Sequence, residues 1–248
     1  MLSKTYTKYI QSLHHKKSRD AEHCFIAEGN KVVLELLHSK HFICEQLLGR
    51  EEWMKEHEPE IRRFYKGPLQ VIEPSDLEKI SALSTPNNVL GIFRKSDPVK
   101  PVLQDRLVLA LDTIQDPGNL GTIIRIADWF NIKDIICSEN CVEQYNPKVV
   151  QSTMGSLSRV NVTYTNLAQL IQEHAAIPTY AAALHGTALQ QLPRLTSGIL
   201  IVGNESKGIS EEVLQLAKEK ITIPRFGAAE SLNAAVATGI ILSHLVKN

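Results

Sequence analysis

Three polar loops, each following an apolar run, contain the residues of this chain whose types and spacing could do chemistry. The loops comprise residues 116–125, 203–208 and 224–233, and the runs before them comprise residues 107–111, 199–202 and 221–223. In an open parallel α/β sheet, ligands bind outside the carboxyl ends of the strands. Polar loops with glycine and proline at that edge therefore predict one shared binding site.

The first loop predicts the start of a helix. Pro117 and Gly118 favour a tight turn, and Asn119 is a good N-cap for the helix that follows. The N–H groups at a helix N-terminus attract anions. Arg125 lies about two-thirds of a turn around this helix from Asn119. It is either a solvated arginine on a capped helix or a cation of the site, and the loop alone leaves both open.

The second loop resembles a phosphate-binding loop only in part. Gly203 and Gly208 have the P-loop spacing, but Ile209 and Ser210 follow where that motif needs Lys-Ser. The NTPase interpretation therefore fails, and without a G-x-G-x-x-G motif ordinary dinucleotide binding has no support. What remains is a turn that presents Glu205, either as the N-cap of the helix near Ser210 or as a group of the site.

The third loop precedes the last helix of the chain. Gly227 and two alanines are small enough to let the backbone approach a ligand closely. Ser231 is the predicted N-cap of the helix. Asn233 lies on an otherwise apolar helix, and a buried asparagine needs hydrogen-bond partners. It is either a satisfied structural amide or an amide directed at the site.

The composition is that of a soluble globular protein with room for one large domain or two small ones. The 248 residues are 43% hydrophobic and 22% charged, and the formal net charge is zero. We expect neither a membrane span, which needs roughly 20 apolar residues, nor a secretory signal, because residues 1–19 contain no long apolar run. We therefore expect a cytoplasmic protein.

The four cysteines do not predict a metal site. Cys137 and Cys141 have the spacing of half a zinc site, but no second Cys or His pair lies nearby in the sequence. Together with Cys24 and Cys44, we expect them to be free thiols in a reducing compartment. No metal is expected.

Basic residues are concentrated at the N-terminus. The first 19 residues contain five Lys or Arg and no acid, together with His14 and His15. Lys16, Lys17 and Arg19 in this short arm could contact phosphate. A solvated tail or helix face explains the same pattern, and both interpretations stay open.

The remaining sequence predicts two α/β domains joined by a linker over residues 97–105. Residues 1–97 form the smaller domain, and residues 103–248 alternate regularly between strands and helices. Such alternation implies βαβ units and a mostly parallel sheet. The last helix, residues 231–246, is apolar on nearly every side, so we expect it to be buried within the domain or against a second subunit. The predicted strands of the larger domain are 106–112, 134–137, 160–162, 179–184, 198–203 and 220–224.

Taken together, the three loops resemble the signature motifs of the SpoU (TrmH-type) RNA ribose 2′-O-methyltransferases, in the SPOUT superfamily. Residues 154–160 are also similar to the family, and residues 1–96 resemble the N-terminal substrate-binding domain of many members. One departure is Ala234-Ala235, where the family often has Val-Ser. The matching motifs are Asp116-Pro117-x-Asn119-x-Gly121-x-x-x-Arg125, Gly203-Asn204-Glu205-x-x-Gly208, and Pro224 followed by Ser231-Leu232-Asn233.

The resemblance implies a trefoil-knotted C-terminal α/β domain that dimerises and binds S-adenosylmethionine in the knot. It assigns the cofactor to the backbone at Gly203, Ile223 and Leu232. Arg159, in the similar segment 154–160, is an expected RNA contact alongside the basic arm. The expected catalytic face consists of Asn119, Arg125, Glu205, Ser231 and Asn233.

The implied reaction is methyl transfer from S-adenosylmethionine to a ribose 2′-hydroxyl of rRNA or tRNA. Arg125 is a poor general base, because the pKa of arginine lies above about 12. We therefore expect it to hold the adjacent phosphate and stabilise the developing alkoxide. Ser231 and Asn233 would orient the ribose or Arg125, and Glu205 would hold Arg125 or its own loop.

Two alternatives compete with this hypothesis. A catalytically inactive RNA-binding relative would keep the fold, but the intact Asn119, Arg125, Glu205 and Asn233 argue against it. An unrelated nucleotide-binding α/β enzyme would need the lysine or the glycine pattern that the second loop lacks.

Overall fold

The computed structural model describes residues 2–246, and their contacts divide the chain into two compact units. Unit 1 is the chain up to Asp97 together with Glu143–Ser158. Unit 2 is Pro98–Val142 together with the chain from Arg159 onward. Residues 143–158, which the sequence-based boundary puts in the second domain, thus group with the first unit.

Unit 1 contains a four-stranded sheet with strand order β1-β4-β2-β3, antiparallel except for the parallel pair β2 and β3. Residues 31–37 lie in a helix whose apolar side chains recur at helical spacing and are buried. The elements before residue 98 are α1 (Lys4–Ser12), α2 (Lys16–Glu22), β1 (Cys24–Glu28), α3 (Asn30–His38), β2 (Cys44–Gly49), α4 (Glu51–Phe64), β3 (Leu69–Val71), α5 (Pro74–Ile80) and β4 (Val89–Arg94).

Unit 2 contains a six-stranded sheet with strand order β10-β8-β9-β5-β6-β7, in which every neighbouring pair is parallel. The parallel α/β sheet is confirmed. The later elements are β5 (Leu107–Asp112), α6 (Pro117–Trp129), β6 (Asp134–Cys137), α7 (Pro147–Thr153), β7 (Asn161–Tyr164), α8 (Leu167–Glu173), β8 (Thr179–Ala188), β9 (Gly198–Gly203), α9 (Glu211–Leu216), β10 (Glu219–Thr222) and α10 (Ala234–Leu245), of which α7 belongs to unit 1.

Residues 143–158 are held in unit 1 by charge pairs and aromatic packing. Arg19 Nη2 lies 2.6 Å from Glu143 Oε2, and Lys95 Nζ lies 3.0 Å from Glu143 Oε1. The ring of Tyr145 packs against Phe25 with a centroid distance of 4.7 Å. Paired charges and aromatic contacts of this kind bind distant parts of a chain into one core.

The placement of Arg19 corrects the expectation that it binds RNA. Its side chain is only 2% exposed, and besides the pair with Glu143 it donates to the carbonyl oxygens of Leu13 and His14. Its guanidinium is therefore not available to a phosphate. Lys16 and Lys17 are exposed, and Lys16 pairs with Asp20 at 2.6 Å. The last part of the predicted basic arm is thus in helix α2, with one structural arginine.

Two predicted helix caps are wrong by a few residues. The N-cap of α6 is Asp116 rather than Asn119, because the Asp116 carboxylate accepts from the Asn119 N–H. The N-cap of α10 is Asn233 rather than Ser231. Since the helix starts three residues later than predicted, Asn233 is exposed at its end rather than buried one turn inside it.

The last helix is buried on one side within unit 2, and its predicted burial against a second subunit stays a prediction. It packs on α6, where a Cβ on Gly239 would lie 3.6 Å from Ile126 Cδ1. Val236 and Ile240 nevertheless remain 52% and 39% exposed. Within residues 2–246, no helix is both long and apolar enough to span a bilayer.

Candidate active site

The first two polar loops leave the sheet side by side. Strands β5 and β9 are parallel neighbours, and Asp112 pairs in register with Gly203 at their carboxyl ends. Strand β10 lies on the far side of β8 from β9. The third loop therefore begins two strands away from the second loop. Its residues reach the first loop only where α10 begins.

Three side chains, one from each loop, form a hydrogen-bonded chain. Asn233 Nδ2 donates to Asn119 Oδ1 at 2.8 Å, and Asn119 Nδ2 donates to Glu205 Oε1. These residues are 114 and 86 positions apart in the sequence. The structure thus brings three of the five expected catalytic residues into direct contact.

The capping bonds of α10 determine how the two amides of this chain are turned. The Asn233 Oδ1 atom accepts from the N–H groups of Ala235 and Val236, so it must be the oxygen. The Asn233 Nδ2 group is then a donor, and the Asn119 atom that it meets must be the acceptor. Asn119 therefore presents its NH₂ group to Glu205, and the carboxylate oxygen Oε1 accepts the hydrogen bond. The donor and acceptor roles along this chain of side chains therefore follow from the N-cap of α10.

Arg125 and Ser231 are not part of this network. Both side chains are exposed, and among residues 2–246 Arg125 makes no hydrogen bond or ion pair. Arg125 is on the exposed side of α6, one turn after Thr122. Glu205 therefore contacts Asn119 and not Arg125, which differs from one of the two roles expected for it. A guanidinium that is exposed and has no partner among residues 2–246 can bind an anion.

The second loop is supported by residues that sequence reasoning missed. Asp112 accepts from the Ser210 N–H at 2.7 Å and from the Thr113 hydroxyl at 3.0 Å. Asn204 Nδ2 donates to the Thr113 carbonyl at 3.0 Å. Thr113 has a φ of 58°, an uncommon conformation for a β-branched residue. The sequence feature that could have indicated this support is an aspartate, Asp112, at the end of a buried apolar strand.

The two glycines of the second loop are needed for different reasons. A Cβ on Gly203 would lie 2.3 Å from the backbone carbon of Gly208, where the loop returns. Gly208 has open space around it but a φ of 71°, which favours glycine. Gly203 is thus required for the loop to close on itself, irrespective of any ligand.

The remaining expected cofactor residues lie in an open segment. The side chain of Leu232 is 44% exposed, and Ile223 is half-buried. Between them, residues 225–230 are exposed, and a Cβ on Gly227 would meet nothing within 4 Å. Small residues, exposed backbone groups and free space suit a bound organic ligand.

The cysteine pair supports the turn before the first loop. Cys141 Sγ accepts from the Ile114 N–H at 3.2 Å. A hydrogen bond from the Cys137 thiol lowers the pKa of Cys141 to about 7, although burial opposes that shift. The same bond, together with burial, raises the pKa of Cys137. The part of the chain that the structure describes contains no cluster of three or more residues that could hold a metal ion.

Arg159, the other expected RNA contact, is in unit 2. Its Nε lies 2.9 Å from Asp128 Oδ2, and its side chain is 39% exposed. An arginine held by a carboxylate is oriented by it but is also partly neutralised.

Two protein families match successive parts of this chain. The model of the SpoU rRNA methylase family matches residues 106–243, and that of the MRM3-like substrate binding domain matches residues 4–91. RlmP of Bacillus subtilis (strain 168), a 23S rRNA (guanosine(2553)-2′-O)-methyltransferase, is 31% identical over 239 residues, which cover 95% of this chain and 93% of that protein.

Two solved structures extend the comparison. A TrmH-family protein from Porphyromonas gingivalis is 34% identical with a TM-score of 0.87, covering 99% of this chain and 98% of that one. An AdoMet-bound rRNA methyltransferase from Sinorhizobium meliloti is 29% identical with a TM-score of 0.84, covering 99% and 96%. The resemblance is confirmed: with its three motifs joined at one edge of a parallel sheet, this chain belongs to the SpoU rRNA methylase family.

Proposed function

We propose that this protein transfers a methyl group from S-adenosylmethionine to a ribose 2′-hydroxyl of 23S rRNA. The observation that carries the proposal is the hydrogen-bonded chain of Asn233, Asn119 and Glu205, which joins all three loops. Arg125 is exposed on the same helix as Asn119. The family membership supports the same reaction. The similarity to RlmP over almost the whole chain favours rRNA over tRNA.

The residues of the first loop would act on the acceptor. Arginine is a cationic side chain that suits phosphate binding, so Arg125 would bind the phosphate next to the target ribose and stabilise the oxygen as its proton leaves. Asn119, held between Glu205 and Asn233, would be a rigid hydrogen-bonding group for the ribose. Ser231 would orient the ribose from the third loop. Such positioning can lower the barrier by several kcal/mol.

The backbone at Gly203, Ile223 and Leu232 would hold S-adenosylmethionine, whose sulfonium supplies an electrophilic methyl group. The open segment 225–230 fits this assignment, because its small residues leave room for a ligand. The trefoil knot that the family resemblance implies stays a prediction.

Lys16 and Lys17 would contact the RNA, and Arg159 would do so from the second unit. Lys17 is the best candidate because it is exposed and makes no ion pair with the residues described. A cytoplasmic location belongs to the same proposal. It is consistent with the four free cysteines, because thiols stay reduced in the cytoplasm.

The homodimer is also part of the proposal. Four apolar side chains on α6, on α10 and just before α10 are exposed, and α6 and α10 pack against each other. A contiguous apolar patch on these helices would suit a subunit interface. Glutamate at Val236 should produce a monomer in sedimentation experiments, whereas Val71→Glu, an equally exposed valine of unit 1, should not. A wild-type protein that sediments as a monomer would contradict this part. The four residues, with their exposures, are Trp129 (84%), Leu232 (44%), Val236 (52%) and Ile240 (39%).

The decisive experiment for the activity is to map 2′-O-methyl groups in rRNA and tRNA from a deletion strain and from the same strain complemented with the gene. We expect one 23S rRNA position to lose its methyl group and to regain it only with a wild-type copy, not with Arg125→Ala. If a tRNA methyl group is lost instead, the substrate is tRNA. If no methyl group is lost from any RNA, the result favours the alternative of an inactive RNA-binding relative.

Binding provides an independent test of the cofactor. S-Adenosylmethionine at about 100 times its dissociation constant should stabilise the protein by about 2.7 kcal/mol, which a thermal unfolding experiment detects. NAD and ATP should give no shift. Stabilisation by either of these without stabilisation by the methyl donor would contradict the assignment.

A further inference from the structure

Methyl transfer to a hydroxyl group releases a proton, and the expected catalytic face contains one group that can accept it. Asn119 and Asn233 are amides and Ser231 is an alcohol, neither of which takes up a proton near neutral pH. Arg125 has only N–H donors in its side chain. Glu205 is the one carboxylate among these five residues, and carboxylates act as general bases in enzymes.

The two oxygens of the Glu205 carboxylate differ in what they contact. Oε1 accepts the hydrogen bond from Asn119 Nδ2. Oε2 makes no hydrogen bond or ion pair within residues 2–246, and it is not among the buried unpaired polar atoms of that part of the chain. The side chain as a whole is partly exposed. A substrate hydroxyl can therefore reach Oε2 while Oε1 stays bonded to Asn119.

The loop that contains Glu205 is held on both sides of this residue. At its Oδ1 atom, Asn204 accepts from the N–H groups of Ser206 and Lys207 at 2.9 and 3.1 Å. Its Nδ2 group donates to the carbonyl oxygen of Thr113, just after β5, at 3.0 Å. Because the loop is bonded to itself and to the end of a core strand, the carboxylate has a defined position beside Asn119, as a general base requires.

The neighbouring charged groups are less suited to this role, because none is bonded to the Asn119 side chain. Asp112 is only 4% exposed, and its two oxygens accept from the Ser210 N–H and the Thr113 hydroxyl. Asp116 is exposed and uses Oδ1 to cap α6, so its second oxygen is a competing acceptor. The other charged residues of the three loops, together with His185 on β8, are exposed: Arg125, Lys207, Arg225 and Glu230.

We propose that Glu205 Oε2 accepts the proton of the target 2′-hydroxyl, an inference that rests on the proposed function. As the ribose oxygen forms its bond to the methyl carbon, its O–H bond breaks and the proton passes to Oε2. The electron pair of the broken carbon–sulfur bond stays on sulfur. The carboxylate and the sulfonium lose their opposite charges together, so the net charge of the site is unchanged. The neutral carboxyl group then releases its proton to water, which the partial exposure of Glu205 permits.

The first test separates proton acceptance from the bond that holds Asn119. Glu205→Gln keeps an oxygen acceptor for Asn119 but cannot take up a proton, whereas Glu205→Ala removes both functions. In methyl transfer to unmodified in-vitro-transcribed 23S rRNA, kcat of Glu205→Gln should be about 100-fold below that of the wild type, close to that of Glu205→Ala. The dissociation constant of S-adenosylmethionine should stay within about threefold. A kcat of Glu205→Gln near that of the wild type would make Glu205 a positioning residue only and overturn the inference.

The pH dependence of kcat is a readout that a purely positioning role would not change. Because a protonated carboxyl group cannot serve as the acceptor, wild-type kcat should decrease as the pH is lowered. The decrease should be absent from the residual activity of Glu205→Gln. It should be retained in the matched control Glu139→Gln, an exposed glutamate just after β6 at the same edge of the sheet. If Asp116→Asn, Glu230→Gln or His185→Gln removes the decrease instead, that residue is the acceptor and the inference is wrong.

Binding provides a readout that needs no turnover. Two synthetic RNAs that span the mapped methylation position, one with ribose and one with 2′-deoxyribose at that nucleotide, are titrated against the wild type and Glu205→Gln. The wild type should bind the ribose form about tenfold more tightly, because a hydroxyl donates a strong hydrogen bond to a carboxylate. This preference should become clearly smaller in Glu205→Gln, whose amide presents N–H donors at that position, and an equal preference in both proteins would overturn the inference. A wild-type protein that methylates no rRNA fails the proposed function instead, whatever the variants do.

Discussion

Replacing Arg19 with methionine separates a structural role of this arginine from an RNA-binding role. Methionine keeps an unbranched apolar stem in a site that is 2% exposed, but it removes the guanidinium. The change deletes the pair with Glu143 and the two bonds to the carbonyl oxygens of Leu13 and His14. We expect a large loss of stability in unit 1.

The size of the stability loss depends on the groups that lose their partner when the guanidinium is removed. Removing one partner of a buried ion pair typically costs about 3–5 kcal/mol. Glu143 keeps Lys95 at 3.0 Å, which puts the cost toward the lower end, and the two carbonyl groups at the end of α1 lose their donor. We therefore expect a decrease of about 3 kcal/mol in the free energy of unfolding.

Urea unfolding of the wild type, Arg19→Met, Glu143→Gln and the double variant measures this effect. The double-mutant cycle should give a coupling energy well above the few tenths expected for independent sites. The control is Lys17→Met on the exposed side of α2, which should stay within about 0.5 kcal/mol of the wild type. If Arg19→Met costs less than about 1 kcal/mol and weakens RNA binding more than Lys17→Met does, the structural assignment is wrong.

Four further outcomes are expected. Arg125→Ala should reduce kcat about 100-fold or more while the affinity for S-adenosylmethionine changes by only a few fold, and near-normal turnover would refute its role. Glu205→Ala should lower kcat about 100-fold by releasing Asn119, with cofactor affinity again retained in a calorimetric titration. Gly203→Ala should abolish activity because its Cβ meets the loop backbone, whereas Gly208→Ala should cost only about 1–2 kcal/mol of stability; equal effects would contradict the steric argument. The bonds to Lys16 and Lys95 lower the pKa of Asp20 to about 2, so its stabilising effect should be complete above about pH 4 and disappear as the pH falls through 2; in unfolding experiments Asp20→Asn should lose its difference from the wild type at that pH.

Local patterns in the sequence were enough to predict the sheet. Short apolar runs, several of them followed by loops with glycine or proline, identified the strands that the structure contains, from β5 to β10. Parallel strands with polar loops at their carboxyl ends then implied a site at that edge. This part of the prediction succeeded because strand and helix formation depend mainly on neighbours that are close in sequence.

The helix caps show where local patterns stop being sufficient. Ser231 and Asn233 are both good capping residues, and Asp116 and Asn119 are as well. The structure shows which one caps each helix. Helix α6 begins at Pro117, and Asp116 caps it by accepting from the Asn119 N–H. Asn233 caps α10 with its Oδ1 atom while its Nδ2 group donates to the distant Asn119.

The sequence by itself determined the order of the elements, the three motifs and the family, because each of these is encoded in short segments. Only the tertiary structure decided that the motifs meet through one directed chain of amides, that Gly203 is required by its own loop, and that Arg19 is buried against Glu143. The last contact joins residues 124 positions apart. No local pattern encodes such a pair, because the free energy of burying a charge depends on which partner the folded chain brings to it.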